Sequence, residues 1–442
     1  MTIKKTSIIG LGKLGLPMAA CFASKGFKVI GIDKNIATID SVKKGRAPFY
    51  EPDLQKLINK SGNNLEVSND PRRAIEESDV SFLIVPTPSN KSGEFSNKYL
   101  ENALGDLSLA LKESQKKYHL FVISSTVMPS TIDKYFIPLI EKMSGRKLNE
   151  GFGICYNPEF IALGSVIRDF LNPDVLLIGE TNKEDGQVLE NFYKKIHKSH
   201  PYIARMSVVS AEITKISLNS YITTKISFAN QLSQICSVIP GANIDAITQA
   251  IGSDRRVGTV YFKGGLSYGG PCFPRDNKAF SAFAKKHGHN APLSQATDIV
   301  NNLQKQHLID TVLKNHKNNG PVLLVGFAYK NNTPIIEESA SLKLVDALLK
   351  NKINVVVHDP LAATNVKDFF GNKVELSSSL EKSLKKASTC VLISNSKETK
   401  VAIEKTSFLK PTTIIDCWRV IDPACLKGKV KYIPMGRAQQ KL

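Results

Sequence analysis

The sequence of 442 residues lacks several features that would place it in a specialised class. Its seven cysteines are scattered, without a Cys-x-x-Cys pair or histidines in ligand spacing, which argues against a metal site and against a disulfide framework. No run of about 18 apolar residues is present, so we expect no membrane-inserted segment. The charged first residues lead directly into a strand-like run without a signal-peptide pattern, which predicts a cytoplasmic location.

Acidic side chains are scarce as well. The chain has 40 aspartates and glutamates against 59 lysines and arginines, a formal net charge of +19. Such an excess is compatible with nucleic acid, a membrane surface or anionic small molecules as partners. Because the lysines are spread along the chain without a dense basic run, we expect no nucleic-acid partner. Solvated lysine faces and phosphate-bearing substrates both remain as explanations of the charge.

Hydrophobic residues make up 42% of the chain. The 442 residues are more than one hydrophobic core usually includes. Two or three domains are therefore expected. The first residues predict a strand over 7–9, an amphipathic helix over about 14–25 and a second strand over 28–32. This strand, helix, strand order is typical of a nucleotide-binding α/β domain.

A glycine turn lies between that first strand and helix, with G-x-G-x-x-G spacing. Gly10 permits a tight turn, Gly12 allows a pyrophosphate to approach the backbone, and Gly15 allows close packing of helix and strand. The helix N-terminus offers free N–H groups to the phosphates. Asp33, at the end of the second strand, would bind the adenosine ribose hydroxyls and repel a 2′-phosphate, so NAD is predicted rather than NADP. The predicted contacts of the turn are Gly10, Gly12, Lys13, Leu14 and Gly15.

Three further segments predict buried strands whose carboxyl ends would border the ligand crevice of a doubly wound sheet. Residues 79–88 and 119–131 end in small hydroxyl or proline residues and are each followed by a helix. The residues expected to face the cofactor there are Thr87, Ser125 and Thr126. The third segment, 151–160, brings Glu159 to its end, where the residue could be a base or an acid at a helix N-terminus.

The middle of the chain predicts one long helix over 207–237, because apolar residues recur at three- and four-residue spacing without glycine or proline. A helix of this length between two α/β domains is a natural dimer surface, so a homodimer or higher homo-oligomer is expected. Lys215 and Asn219 share one face of it, as a site pair or as a solvated pair. A short helix over about 241–254 precedes the loop "GGPCFPRDN", whose Cys272 could be a buried hydrophobe or a nucleophile.

Strand and helix alternate again after about residue 304, without a second glycine motif. The predicted fold class is α/β, with two Rossmann-like doubly wound domains joined by a long central helix and a helical dimerisation region. We predict an NAD-binding domain over 1–203, a central helical domain with the cysteine loop over 204–303, and a domain over 304–442 that binds a nucleotide through other contacts.

The motifs in their order resemble the UDP-glucose/GDP-mannose dehydrogenase family over nearly the whole chain. They are "GLGKLGLP", "VPTP", "SSTVMPST", "YNPEF", "AEITKISLN", "GGPCFPRD", "GFAYKNNT" and "DCWR". The resemblance implies oxidation of the C6 alcohol of a nucleotide sugar to a carboxylate with two NAD. UDP-glucose is the predicted sugar nucleotide, because "GGPCFPRD" is nearer to G-G-S-C-F-P-K-D than to G-G-H-C-I-P-V-D. UDP-N-acetylhexosamine, GDP-mannose and a non-catalytic sugar-nucleotide-binding protein are the alternatives.

The resemblance also implies residue roles. Cys272 would attack the aldehyde and form a thiohemiacetal and then a thioester. Lys215 and Asn219 would stabilise the charged oxygens, and Glu159 would be the base for hydrolysis. Thr126 and Asp276 would position a water or relay a proton, and Arg275 would be a cation on the cofactor side. The implied substrate contacts are Glu159, Phe160, Lys215, Asn219, Arg256 (toward the neighbouring subunit's substrate), Tyr261, Lys263, Gly269, Lys330 and Arg419.

The chain departs from the family pattern in its binding segments. Ala162 and Leu163 stand where members carry a second glutamate, and Val175 replaces an arginine. The loop 334–337, with Pro334 and Glu337 at its ends, replaces two acids and an arginine expected near the cofactor. Pro271 precedes the cysteine where many members have serine. These departures predict a divergent branch of the family.

Overall fold

A computed structural model describes residues 2–317 and 320–438. The chain divides into two compact units, 1–217 and 218–442. Each unit contains one largely parallel sheet with helices, and the long helix α9 (Val208–Cys236) begins in the first unit and ends in the second. The predicted fold class is confirmed: two Rossmann-like sheets and a central helical region are present. The three-domain boundaries stay a prediction.

The first unit contains an eight-stranded sheet in the order β3-β2-β1-β4-β5-β6-β7-β8. The first six of these strands are parallel in the 3-2-1-4-5-6 order of dinucleotide-binding sheets. The pair β7 and β8 runs antiparallel to β6, which the sequence patterns did not predict. The strands are β1 Lys5–Ile9, β2 Lys28–Ile32, β3 Leu65–Ser68, β4 Val80–Leu83, β5 His119–Ile123, β6 Phe152–Tyr156, β7 Val175–Glu180 and β8 Tyr202–Ser207.

Helices cover both faces of this sheet, so successive strand residues enter opposite cores. Ile8 and Phe82 belong to one core and their neighbours Ile9 and Leu83 to the other, all at most 6% exposed. Burial on both faces explains the continuous apolar strand runs. The helices are α1 Gly15–Ser24, α2 Ile36–Lys43, α3 Leu54–Ser61, α4 Pro71–Glu77, α5 Lys98–Glu113, a π-helical turn Ile132–Phe136, α6 Ile137–Ser144, α7 Val166–Leu171 and α8 Lys183–Tyr193.

The second unit contains a six-stranded sheet in the order β11-β10-β9-β12-β13-β14, in which all neighbouring strands are parallel. Its strands are β9 Val322–Val325, β10 Val355–His358, β11 Glu375–Leu376, β12 Thr389–Leu392, β13 Ser407–Asp416 and β14 Lys427–Pro434. The helices of this unit are α10 Ile244–Gly252, α11 Phe273–Lys286, α12 Pro292–Asn315, α13 Ala340–Lys350, α14 Ala363–Phe370, α15 Leu380–Lys386 and α16 Lys397–Lys405.

A buried polar cluster lies within the first sheet. The His119 ring is fully buried and its Nε2 lies 2.8 Å from Ser81 Oγ, which in turn lies 2.7 Å from Ser7 Oγ. Burial, together with the positive charges of Lys116 and Arg146, lowers the pKa of His119 to about 3. The folded protein therefore holds this ring neutral at pH values where the unfolded chain protonates it.

His119 is expected to make folding acid-sensitive. Because its folded pKa lies below its unfolded value of about 6.5, stability falls as the pH drops below 6.5, by about 2 kcal/mol at pH 5. Urea unfolding at pH 7 and pH 5 measures this, with His119→Gln as the comparison. Between pH 7 and pH 5, the free energy of unfolding of His119→Gln should fall by about 2 kcal/mol less than that of the unmodified protein. Equal losses in both proteins would contradict the prediction.

Candidate active site

The glycine turn of the first unit has the geometry of a pyrophosphate cradle. Gly10 has a φ of +99°, and a Cβ there would collide with the Ile84 carbonyl oxygen. A Cβ at Gly15, the first residue of α1, would collide with the Gly10 carbonyl oxygen. A Cβ at Gly12 would meet no protein atom within 4 Å. The protein's own packing therefore explains two of the glycines, while the third leaves the open backbone that NAD requires.

Asp33 follows β2 and is held firmly beside this turn. Its Oδ2 accepts a hydrogen bond from the Leu11 N–H at 2.6 Å, and its Oδ1 accepts one from the Asn35 N–H at 2.7 Å. Leu14 is half-buried against the core, whereas Lys13 is exposed. The carboxylate is thus fixed beside the glycine turn, and its contact with the adenosine ribose stays a prediction.

The hydroxyls of Thr87 and Ser125 organise the carboxyl edge of the sheet. Thr87 Oγ1 donates to the Thr126 carbonyl oxygen at 2.8 Å. Ser125 Oγ accepts from the Val85 N–H at 2.9 Å and donates to the Val85 carbonyl oxygen at 2.7 Å. These bonds join the loops that follow β4 and β5, and Thr126 is partly exposed beside them. Direct contact of these residues with the cofactor stays a prediction.

Glu159 lies in the irregular segment after β6, seven residues before α7 begins at Val166. The alternative that it is an acid at a helix N-terminus is therefore wrong. Lys215 on α9 is 7% exposed and donates from Nζ to the Glu159 carbonyl oxygen at 2.7 Å. The same Nζ lies 4.7 Å from the centre of the Phe160 ring. The lysine is thus a buried cation beside Glu159.

The side chain of Glu159 has its own partner, Tyr193 of α8, which sequence reasoning missed. The Tyr193 hydroxyl lies 3.5 Å from Glu159 Oε1 and also donates to Asn157 Oδ1. Burial raises the pKa of Glu159, whereas the charge of Lys215 and the Tyr193 hydrogen bond lower it, and the net result is a pKa of about 7. A carboxyl group with a pKa near neutrality can act as both acid and base at physiological pH.

We expect hydrolysis of the acyl intermediate to depend on ionised Glu159. Its rate should rise with pH through about 7, and Glu159→Gln should remove this dependence and slow hydrolysis about 10²- to 10⁴-fold. Rapid-quench measurement of carboxylate product between pH 5.5 and 8.5 tests this. Tyr193→Phe, which removes a hydrogen bond that lowers the pKa, should shift the midpoint upward. An unchanged pH profile in Glu159→Gln would refute the assignment.

Cys272 lies immediately before α11 in the second unit, and its thiol is exposed. A helix N-terminus favours an anionic sulfur. The next turn carries Arg275, whose Nε and Nη2 donate to Asp276 Oδ1 at 2.9 and 2.8 Å. Burial lowers the pKa of Arg275, but the charges of Asp276 and Cys272 raise it above its ordinary value overall. The guanidinium therefore stays charged close to the sulfur.

Asp276 is fully buried and is bound from two sides. Besides the Arg275 bonds, its Oδ2 accepts from Asn219 Nδ2 at 2.6 Å. Asn219 is 8% exposed and lies one helical turn after Lys215 on α9. Hydrogen bonds thus join Arg275, Asp276 and Asn219 in one network, and Cys272 lies close enough to Arg275 to affect its pKa.

The other cysteines of the described ranges are buried, with the exception of Cys425, which is exposed like Cys272. Burial raises the pKa of Cys21 and of Cys390 to about 12. Such thiols are poor nucleophiles at neutral pH. The remaining buried cysteines are Cys155, Cys236 and Cys417.

The predicted substrate loop leads from a pocket to Cys272. Tyr261 has a φ of +59° and is 46% exposed. A Cβ at Gly269 would collide with the Glu338 carbonyl oxygen, and one at Gly270 would press on the Tyr329 ring, next to Lys330. The glycines thus allow the loop to approach the segment after β9 closely.

A pocket of about 560 Å³ lies at the start of this loop. Its walls include the rings of Phe262 and Trp418 and the cations Lys263, Lys397 and Lys400. Rings and cations together suit a nucleobase and its phosphates. The full lining is Asp245, Thr248, Gln249, Thr259, Phe262, Lys263, Asn395, Ser396, Lys397, Lys400, Trp418, Arg419 and Val420.

Arg419 lines the pocket, and its guanidinium is hydrogen bonded to other groups of the protein. Its Nε and Nη2 donate to Asp245 at 2.8 and 2.9 Å. Its other donors go to the carbonyl oxygens of Cys417, Met435 and Gly264. Sequence reasoning missed Asp245, because no motif marks a carboxylate more than 170 residues from its arginine. Contact of Arg419 with substrate stays a prediction.

Arg256 is separate from these groups. Its side chain is 89% exposed and pairs with Asp254 at 2.6 Å. Such exposure is compatible with the predicted reach toward a neighbouring subunit. Within residues 2–317 and 320–438, no cluster of three or more metal-ligating side chains is present, and no helix is long and apolar enough to cross a membrane.

Comparison with known proteins gives matches along the chain. Three models of the UDP-glucose/GDP-mannose dehydrogenase family match: the NAD binding domain over 4–197, the central domain over 209–303 and the UDP binding domain over 323–423. The UDP-glucose 6-dehydrogenase AglM of Haloferax volcanii is 31% identical over 94% of this chain and 96% of its own. The GDP-mannose 6-dehydrogenase of Pseudomonas aeruginosa is 31% identical over 80% and 81%. A solved UDP-glucose dehydrogenase from Pyrobaculum islandicum superposes with a TM-score of 0.88 at 26% identity, covering 99% of this chain and 98% of that one.

Proposed function

Because the chain belongs to the UDP-glucose/GDP-mannose dehydrogenase family, whose members are NAD-dependent nucleotide-sugar 6-dehydrogenases, we propose that it converts UDP-glucose to UDP-glucuronate. The observation that carries the reaction type is the placement of Cys272, an exposed thiol at a helix N-terminus beside the charged Arg275. Relatives named for UDP-glucose that match 94% of this chain support the choice of sugar nucleotide.

NAD, held by the glycine turn and Asp33, would supply the hydride acceptor for each oxidation, so a carboxylate product would require two NAD molecules. The C6 alcohol first loses a hydride and a proton and becomes an aldehyde. The Cys272 thiolate adds to the aldehyde carbon, which gives a thiohemiacetal, and loss of a second hydride and a proton gives a thioester. Water then cleaves the carbon–sulfur bond, which releases the carboxylate and restores the thiol.

The roles of the other residues follow from their charge and burial. The buried ammonium of Lys215 and the amide of Asn219 would stabilise the oxygen that carries charge in each tetrahedral species. Glu159 would take a proton from the attacking water. Asp276 would hold Asn219 and Arg275 in place and handle a proton or water together with Thr126. The nucleotide would occupy the pocket of Lys263 and Arg419, and the loop 262–272 would carry the sugar toward Cys272.

An NADH assay over a panel of UDP- and GDP-sugars tests this function. The expected result is two NADH for each UDP-glucose consumed and UDP-glucuronate as the product. Two NADH only with GDP-mannose or a UDP-N-acetylhexosamine would keep the reaction and change the substrate. One NADH with free aldehyde, or none with any sugar, would overturn the proposal.

We also propose that the enzyme acts as a cytoplasmic homodimer that associates through α9 and α12. Tyr221, Phe228 and Ile235 are exposed by 46–61% at seven-residue spacing on α9, and Leu293 and Leu303 are exposed by 72% and 55% on α12. A stripe of this kind is typical of an interface.

The double substitution Tyr221→Glu and Ile235→Glu is expected to reduce the mass in light scattering from two chains to one. Activity should fall with it, because Arg256 would no longer reach the substrate of the neighbouring subunit. Leu409→Glu, at a residue 85% exposed on β13, is the matched control and should remain a dimer. A dimer of unchanged stability in the double variant would exclude this face.

A further inference from the structure

The "AEITKISLN" segment also contains a carboxylate with no predicted role, on α9 three residues before Lys215. Glu212 is fully buried. Its Oε2 accepts a hydrogen bond from the Ser130 N–H at 2.6 Å, and its Oε1 accepts one from the Ile132 N–H at 3.1 Å. The Thr131 N–H between them donates to the Met128 carbonyl oxygen at 3.1 Å. One side chain thus binds two backbone donors of a segment about 80 residues away in sequence.

These donors lie at the start of a helical segment, the π-helical turn Ile132–Phe136 followed by α6. A helix N-terminus carries partial positive charge, which a carboxylate complements. Ser130 has a φ of +67°, a conformation that costs a non-glycine residue energy. Glu212 holds the backbone in this unusual turn.

Burying this carboxylate is costly. Burial and the charge of Asp133 raise the pKa of Glu212, the backbone N–H groups of Ile132 and Ser130 lower it, and the net result is a pKa of about 7. A buried carboxylate is stable only when hydrogen bonds offset its desolvation, and the Ser130 and Ile132 N–H groups supply them. Glu212 thereby joins two elements of the site.

The bound turn is the far end of the loop that follows β5 and carries Ser125 and Thr126. The near end of that loop is held by the Thr87 hydroxyl at the Thr126 carbonyl oxygen. Glu212 therefore connects the Thr126 loop to the same helix that carries Lys215. We propose that Glu212 is a positioning residue that fixes the Thr126 loop relative to Lys215. This inference rests on the proposed function.

The test compares Glu212→Gln with Asp79→Asn. The side chain of Asp79 also accepts two backbone N–H groups, those of Lys4 and Lys5, but at the amino edge of the same sheet. Glu212→Gln should lower kcat about 10- to 100-fold, as expected for a displaced catalytic group, with less than about a threefold change in the KM for sugar nucleotide. Asp79→Asn should lower the thermal midpoint and change kcat less than about twofold.

Two further measurements separate positioning from general destabilisation. In a double-mutant cycle, Glu212→Gln should cost much less activity when Thr126 is already alanine, because both changes disturb one loop. Hydrogen exchange at the Ser130 and Ile132 amides should accelerate at least about tenfold in Glu212→Gln. If this variant does not fold, Glu212→Asp, which keeps the charge but shortens the reach, takes its place.

Additive effects in the cycle, unchanged exchange at the two amides, or equal loss of kcat in Asp79→Asn would each overturn the inference. Failure of the proposed function looks different. In that case the unmodified enzyme gives no NADH with any sugar nucleotide, while the exchange measurement still decides whether Glu212 holds the turn.

Discussion

Replacing Cys272 by serine should stop the reaction after the first oxidation, so that each UDP-glucose yields one NADH in place of two. The second oxidation should slow by more than about 10³-fold, the order of loss when an enzyme's nucleophile is removed. The reason is that a hydroxyl before α11 remains protonated at neutral pH, whereas the helix N-terminus and Arg275 favour a thiolate. Sugar binding should persist, because the pocket of Lys263 and Arg419 does not include Cys272.

The matched control is Cys425→Ser, since Cys425 is the other exposed cysteine of the described ranges. It should retain two NADH per sugar. Iodoacetamide should inactivate the unmodified enzyme and Cys425→Ser alike, and UDP-glucose should protect both. A Cys272→Ser protein that still produces UDP-glucuronate at the normal rate would refute the nucleophile assignment.

Replacing Lys215 by methionine should slow both oxidations, in contrast to Cys272→Ser. We expect a loss of about 10² to 10³ in kcat for each, as for removal of one oxyanion donor. The ammonium is 7% exposed and hydrogen bonded to the Glu159 carbonyl oxygen, so its charge acts in a poorly hydrated site. Single-turnover NADH formation from UDP-glucose, and from the C6 aldehyde supplied directly, measures the two steps separately.

Lys225→Met is the control for the stability that is lost when a hydrogen-bonded lysine of α9 is removed. Lys225 lies on the same helix and donates from Nζ to the carbonyl oxygens of Val257 and Gly258 at 3.0 and 3.3 Å. Its loss should reduce the thermal midpoint to a similar degree but retain most of the activity. Equal loss of kcat in both variants, or loss of only the second oxidation in Lys215→Met, would contradict the role assigned to Lys215.

Local patterns of the sequence were sufficient to predict several of the helices and strands. The glycine turn predicted a strand, a helix and a second strand, and the structure has them at Lys5–Ile9, Gly15–Ser24 and Lys28–Ile32. Three- and four-residue apolar spacing predicted a helix over 207–237, and α9 spans Val208–Cys236. Such features depend on residues close in sequence, so a period or a turn motif reveals them.

Other features required the tertiary structure. No local signature marks the reversed direction of β7 and β8 relative to β6 or the position of Glu159 outside any helix. The same is true of the partners Tyr193 and Asp245 and of the backbone groups that Glu212 binds. Each depends on atoms that the fold brings together from distant segments, such as the Glu212 carboxylate and the Ser130 N–H, 82 residues apart. The sequence by itself therefore determined the elements, the family resemblance and the reactive residue types. Only the tertiary structure decided which of those residues are buried, charged and held, because burial and hydrogen bonding are properties of the packed chain.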